Sequence, residues 1–392
     1  MISLHDKSSL DQINWASKKD GAYVRDYFSP ILRDGVEKYI TNVRADVYLL
    51  EIDDLVMPVT VNDKEFDNSY VCSPYTHYIS YAKEELWELK KPRLEKFLSK
   101  GLDFIGFVFW QTAINKIVSV NNWFLSTNLY FPLSHSQIDR ITQFLIGRFP
   151  HHTIQFRSIV KGLYPGMFEA FERNSYERIM SRSVYLLQPY YFRELSNRRR
   201  RDFFRDKKFM EQSSYTVIEG KDVTEALIPI IKSHYEQLYI DKYSKHNPQF
   251  TWHYFKNILD HRLMHFKLLK QIANHVDFDT SQENTYDGVI GYFHRDGVLT
   301  TPIFGYEMDK GQANGLYRLL SYLITDEVLE KNFVGHFSAG AGNFKRNRGA
   351  VQEIEYTFFY NKHLPLKSRW IWTFLKRLMD WVVVPMARKM KF

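Results

Sequence analysis

The sequence predicts an α+β fold of two lobes, each a mixed twisted sheet flanked by helices, followed by a C-terminal amphipathic helix. Three observations predict it. At roughly 100–200 residues per domain, 392 residues make two domains or more. An order of strand, strand, helix, strand runs near 104–159 and again near 289–339. The stretch 367–392 then differs in composition from everything before it, so the expected divisions are 1–170, 171–366 and 367–392. Hydrophobic residues at 44% and charged residues at 25% are those of an ordinary globular chain and exclude long disorder.

The elements follow in order. A polar helical entry occupies about 8–42, and ADVYLLEIDDLVMPVTV (45–61) reads as two strands around a turn. Residues 81–99 read as helix, with Pro92 marking a kink or break. FIGFVFW (104–110) and WFLSTNLYF (123–131) are strand-like apolar runs. SHSQIDRITQFLIGRF (134–149) opens on a serine cap and places Ile138, Ile141 and Leu145 on one helical face. Residues 152–159 alternate as a strand does.

In the second half, 183–187 is a short strand and about 189–211 a strongly basic helix. Helices are expected at about 222–240 and 251–263, and a strand at 265–273. A polar turn region covers 274–288. Residues 289–294 and 298–309 pair around Arg295-Asp296-Gly297, a hairpin signal. Helix 311–332 turns Leu316, Leu319, Leu320 and Leu323 inward, and 333–339 and 354–361 are strands.

A net charge of +8 favours anionic partners, among them CoA phosphates, an acidic carrier protein, nucleic acid or a lipid surface. The single cysteine, Cys72, allows no intrachain disulfide and fits a reducing cytoplasm. No signal region is expected, since MISLHDKSSLDQ holds no apolar run, and no apolar run reaches the ~20 residues that span a bilayer. A cytoplasmic protein is expected, peripheral at the inner membrane face if 367–392 lies on lipid. That stretch carries Trp370, Ile371, Phe374, Leu375, Leu378 and Val382 on one face and closes with Arg388, Lys389 and Lys391. The run NRRRRDFF (197–204) points its arginines in different directions on a helix and lacks the aromatic strand platform of an RNA reader, so nucleic acid is not the expected partner.

Four stretches carry the chemistry: YYFRELSNRRRRDFF (190–204), SHYEQLYIDKYSKHNPQFTWHYF (233–255), FGYEMDKGQANGLYRLL (304–320) and SAGAGNFKRNRGA (338–350). The last lacks the P-loop spacing, so nucleotide hydrolysis is not indicated. Proline at 302 has no N–H to give a neighbouring strand and suits an edge or a bulge. Glu307 at a strand end can take a proton from an amine, and His336 is a base candidate near neutrality. Arg346 and Arg348 offer bidentate forks for a phosphate or carboxylate. No metal site is indicated.

Taken in order, these stretches resemble the GNAT acyltransferase superfamily, in particular its tandem branch, which includes the FemAB-like aminoacyltransferases and the CelD/BcsL acetyltransferase-like proteins. The resemblance covers about 183–365; the first half matches in element order only. It implies an N-acyltransferase that moves an acyl group from acyl-CoA or an acyl-carrier-protein thioester to the amine of a small acceptor, such as an amino acid or amino sugar, held between the lobes. It implies catalytic roles for Lys345, Glu307, His336 and Tyr306. By the same resemblance, Lys310, Gly311, Ala313, Asn314 and Gly315 form the loop that holds the donor's pyrophosphate at a helix N-terminus. Lysine here replaces the pattern's Gln or Arg, and Ala313 replaces its first glycine. Arg346, Arg348, Tyr239 and Lys242 are the implied substrate-binding residues, with His234 and Tyr243 in the same helical region. Two alternatives stay open: a FemAB-type aminoacyl-tRNA-dependent transferase, and a non-catalytic, membrane-associated binding module. The oligomeric state is left undetermined.

Overall fold

The computed structural model describes residues 2–86, 91–272, 285–310 and 314–385. Twelve strands occur among the described residues: β1 (Ile2–His5), β2 (Asp46–Ile52), β3 (Leu55–Asn62), β4 (Ile117–Val120), β5 (Thr153–Val160), β6 (Glu177–Leu187), β7 (Tyr215–Glu219), β8 (His265–Gln271), β9 (Tyr286–Arg295), β10 (Val298–Tyr306), β11 (Val334–His336) and β12 (Val351–Tyr360). The fold class is α+β, as the sequence predicts. The chain divides into two units that are discontinuous in sequence. The first takes 2–182, Tyr243–Asn257 and 354–385; the second takes Ser183–Lys242 and Ile258–Glu353. The contiguous divisions at 170 and 366 are thereby replaced, because 243–257 and the C-terminal helix bury their apolar residues in the first unit.

In the first unit, β1, β2, β3 and β4 pair antiparallel in succession. β4 then runs parallel to β5 from Ile117↔Thr153 to Val120↔Phe156, and β12 lies antiparallel on the other edge of β5. The parallel step is crossed by helix His135–Arg148. Its N-terminus is a reciprocal cap: Ser134 Oγ accepts from the Gln137 N–H, and Gln137 Oε1 accepts from the Ser134 N–H. Ile138, Ile141 and Leu145 of this helix are fully buried against Phe156, Phe171 and Phe358. A second cluster joins Phe109, Ile117 and Phe359 to Ile371, Trp372 and Leu375 of helix Leu366–Leu378. The C-terminal helix is therefore an element of the first unit rather than a separate segment.

The second unit repeats this order. β7, β8, β9 and β10 pair antiparallel, β10 runs parallel to β11, and helix Leu316–Glu330 crosses between them. Leu316, Leu319, Leu320 and Leu323 of that helix are buried with Leu269, Ile290 and Leu299, as their spacing predicts. The end of β6 closes this sheet on β11 through Leu187 and Leu186.

Two predicted strands are not strands. Residues 104–110 belong to helix Pro92–Trp110, which Pro92 opens at its first position instead of breaking. An apolar run of seven has no period that separates strand from helix, and here the longer pattern wins. Residues 123–131 form a largely buried loop, bent over 124–127 with Phe124 at φ 59°, without a strand partner among the described residues. Residues 8–42 hold the single longer helix Gly21–Asp34 amid short turns, and 189–211 splits into Pro189–Glu194 and Asn197–Glu211.

Candidate functional site

The site is built where two parallel strands separate. β10 and β11 pair at Val298↔Val334, Leu299↔Gly335 and Thr300↔His336, and no further. Pro302 stands two residues further along β10, with no N–H to continue a ladder. The pairing of β10 with β9 slips between Thr300 and Ile303, a bulge that bends the strand. Beyond His336 the chain turns toward β6: the Phe337 N–H donates to the Tyr185 carbonyl, and Ser338 takes φ 52°. Ile303–Tyr306 remain paired with β9 on one side, while no strand among the described residues pairs with their other edge. That edge offers main-chain donors and acceptors to an extended ligand.

An aromatic wall stands beside this edge. Phe304 and Tyr306 of β10 meet Tyr317, with ring centroids 5.4 and 6.3 Å away, and Tyr317 meets Phe344 at 4.9 Å. All four are half-buried. Burial raises the Tyr306 hydroxyl above its ordinary range and keeps it protonated. Helix Ile228–Tyr235 lies directly on β10, since a methyl group at Gly305 would fall 2.3 Å from the His234 carbonyl oxygen. His234 is buried there, its Nε2 on the Tyr286 carbonyl at 2.6 Å.

The residues singled out by sequence fall into three groups. Glu307 and Tyr306 sit at the open end of β10, where the Glu307 N–H donates to the Asp287 carbonyl at 2.8 Å. His336 is the last paired residue of β11, buried, with Nδ1 accepting from the Ser338 N–H. A second group is committed to internal contacts. Lys345 turns back on its own loop: Nζ donates to the carbonyls of Phe337 and Ala339, at 2.5 and 2.7 Å. The Ser338 carbonyl at 3.4 Å is a third acceptor, so the ammonium to which the resemblance assigns a catalytic role is held by its own loop. Arg346 donates to the Tyr185 hydroxyl at 3.0 Å, and Arg348 to the buried carboxylate of Asp206, which Arg318 also reaches. Lys310 pairs with buried Asp287 at 3.2 Å, and Asn314 donates to the Tyr215 hydroxyl, itself bonded to Asp287. Gly315 caps helix Leu316–Glu330 at φ 61°. Gly311 and Ala313 lie outside the described residues, as do 274–284 and Arg388, Lys389 and Lys391. The third group stands apart: Tyr239 stacks on Tyr235 at 4.9 Å, and Lys242 is exposed.

Sequence reasoning missed Phe304, Tyr317 and Phe344, aromatics that no local pattern sets apart from the others. It also missed Glu353, whose half-buried carboxyl is lifted above the usual carboxylate range by desolvation. A charged residue amid the alternation of VQEIEYTFFY was the available signal.

The first unit has the same parallel step, but its gap is filled. Beyond Val120↔Phe156, the Tyr130 hydroxyl donates to the Arg157 carbonyl at 2.6 Å, and the Asn128 N–H donates to Ser158 Oγ at 3.0 Å. Residues 121–130 are buried apart from Ser126. Nearby, Arg182 is bound to Glu355 at 2.9 Å, and the Arg157 guanidinium lies over the Tyr70 ring. His77 stacks on Tyr78 at 4.5 Å, and burial, with Arg157 and Arg182 close by, pushes its pKa down to about 3. Burial likewise lifts the Cys72 thiol to about 12, which makes it a poor nucleophile.

Several solved structures are similar to this chain at low sequence identity. FemX is 9% identical, with a TM-score of 0.45 over 59% of this chain and 78% of its own. The C-terminal domain of a putative lysylphosphatidylglycerol synthetase from Agrobacterium fabrum is 9% identical, with a TM-score of 0.42 over 63% and 78%. A tandem GNAT protein from the clavulanic acid biosynthesis pathway is 8% identical, with a TM-score of 0.38 over 93% and 99%. No family signature and no curated protein sequence matches the chain.

Proposed function

We propose that the second unit is an N-acyltransferase that moves an acyl group from a thioester, acyl-CoA or an acyl carrier protein, to the amine of a small acceptor such as an amino acid or amino sugar. The observation that carries this reading is the separation of β10 and β11 after Thr300↔His336, which leaves the Ile303–Tyr306 edge unpaired beside four aromatic rings. The amides of a pantetheine arm add to that edge as a short strand does, and the acyl chain lies on the rings. The amine nitrogen attacks the thioester carbonyl carbon, and main-chain N–H groups of the open edge hold the resulting oxyanion. Glu307 takes the proton lost by the nitrogen. The C–S bond then breaks, and the Tyr306 hydroxyl protonates the departing thiolate and is itself reprotonated from solvent. Lys310 is neutralised by Asp287, so recognition of the donor rests on the strand edge more than on a charged phosphate loop.

The test is thiol release from a panel of acyl-CoA and acyl-carrier-protein donors offered amino acids and amino sugars. Amine-dependent release is expected, with Glu307→Gln lowering kcat by on the order of 10²-fold. Absence of release with every donor, alongside transfer from charged tRNA, replaces this reading with the aminoacyl-tRNA alternative. Activity unchanged in the variant removes Glu307 from the mechanism.

A further inference from the structure

The first unit carries an apolar face that its own core does not use. Helix Pro92–Trp110 packs through Leu102, Ile105, Val108 and Phe109 against Ile371, Trp372 and Leu375 of helix Leu366–Leu378. Gly106 lets it lie close to the turn Thr76–Tyr81, because a methyl group there would stand 3.0 Å from Ile79 Cγ2. The opposite side holds Leu94, Phe97, Phe104, Phe107 and Trp110, all exposed, the three phenylalanines by 74, 70 and 65%. At 100° per residue these five fall within an arc of about 200°. Arg93, Lys96 and Lys100, also exposed, fall inside the same arc. The acidic groups here are engaged: Glu95 accepts from the Lys91 N–H, and Asp103 pairs with Lys83. Across the packed seam, Trp370, Phe374, Trp381 and Val382 are exposed as well, flanked by Lys367 and Arg377, with Asp380 beside Lys376. Phe374 touches the buried Phe109 ring to edge at the seam between the two helices.

We propose that the exposed face of helix Pro92–Trp110 docks on an anionic lipid bilayer. Large aromatics interleaved with lysine and arginine suit the headgroup boundary, where rings enter the acyl region and cations meet lipid phosphates. A second copy of the chain fits less well, because a two-fold contact would bring two sets of Arg93, Lys96 and Lys100 into one interface. No helix among the described residues is long and apolar enough to cross a membrane, and docking in the plane requires none.

The experiment is co-sedimentation of the full chain with vesicles of phosphatidylcholine alone or with an equal part of phosphatidylglycerol, with tryptophan emission read in parallel. Binding to the anionic vesicles at least tenfold tighter than to the neutral ones is expected, with a blue shift of emission. Phe104→Glu with Phe107→Glu should abolish binding, and Arg93→Glu with Lys96→Glu and Lys100→Glu should remove the preference for phosphatidylglycerol. Both sets are exposed, so circular dichroism and thiol-release activity should match the parent. Failure of the parent to bind, equal binding by the Phe104/Phe107 variant, or a stable dimer that Phe104→Glu dissociates would each overturn the proposal.

Discussion

Asp206→Asn tests how the walls of the slot are held. Asp206 is buried, and its two oxygens accept separately from Arg318 on helix Leu316–Glu330 and from Arg348 after the short helix Gly342–Arg346. Arg318 lies over the Phe209 ring at 4.4 Å and Arg348 over Phe344 at 3.3 Å, so one carboxylate ties three segments and two rings together. Asparagine keeps the shape but turns a charged acceptor into an amide with its N–H groups facing a guanidinium. Breaking a buried ion pair from one side costs about 3–5 kcal/mol. Since the Arg318 side chain is 31% exposed, water recovers part of its share, and about 3 kcal/mol is left. For a unit of this size that lowers Tm by about 6–12 °C. The assay is thermal unfolding together with amide exchange across 316–319 and 342–349. A Tm within about 2 °C of the parent, with exchange unchanged, would refute the reasoning. Partial recovery in Asp206→Asn with Arg348→Met is expected, because one stranded charge is then gone.

Three further outcomes follow from local geometry. His77 has a folded pKa of about 3, against an ordinary value near 6.5, so the unfolded chain binds the extra proton between those values. Its contribution is complete above about pH 6.5 and is lost as pH falls toward 3, at up to about 1.4 kcal/mol per pH unit; His77→Gln should flatten the fall in urea midpoint between pH 6.5 and 4. Gly315→Ala places a methyl group 2.7 Å from the Phe209 ring at φ 61°, and should cost about 1–3 kcal/mol in denaturant titration, with Phe209→Ala relieving part of it. Ser134→Ala removes one half of a reciprocal cap and should lower stability of the first unit by about 1 kcal/mol in the same titration.

Legibility followed periodicity. The hairpin at Arg295-Asp296-Gly297, the capped helix after Ser134 and the inward leucines of 316–323 stand where local pattern put them, since turn chemistry and a two-sided helix need no distant partner. Residues 104–110 and 123–131 went astray because a short apolar run has the same composition in helix, strand and buried loop. At the candidate site, Pro302 carried a signal that one residue can carry: a missing N–H marks where pairing stops. The basic residues of 345–348 carried a misleading one. Their charge was visible in the sequence, but the carbonyls and the Asp206 carboxylate that take it up come from other segments.

By itself the sequence determined an α+β chain with a doubled order of elements, the helix faces that are buried, and the place where a strand ladder must break. Those properties depend on residues a few positions apart, through turn geometry, helical period and the chemistry of proline. Tertiary structure alone decided that the gap beyond β4 and β5 is filled by residues 121–130 while the edge of β10 takes no strand partner among the described residues. It also decided that β12 closes on β5 and the end of β6 on β11, and that aromatics from β10, Tyr317 and Phe344 meet in one wall. The reason is that such contacts join segments far apart in the chain, and they are chosen by packing and hydrogen-bond satisfaction that no local pattern records.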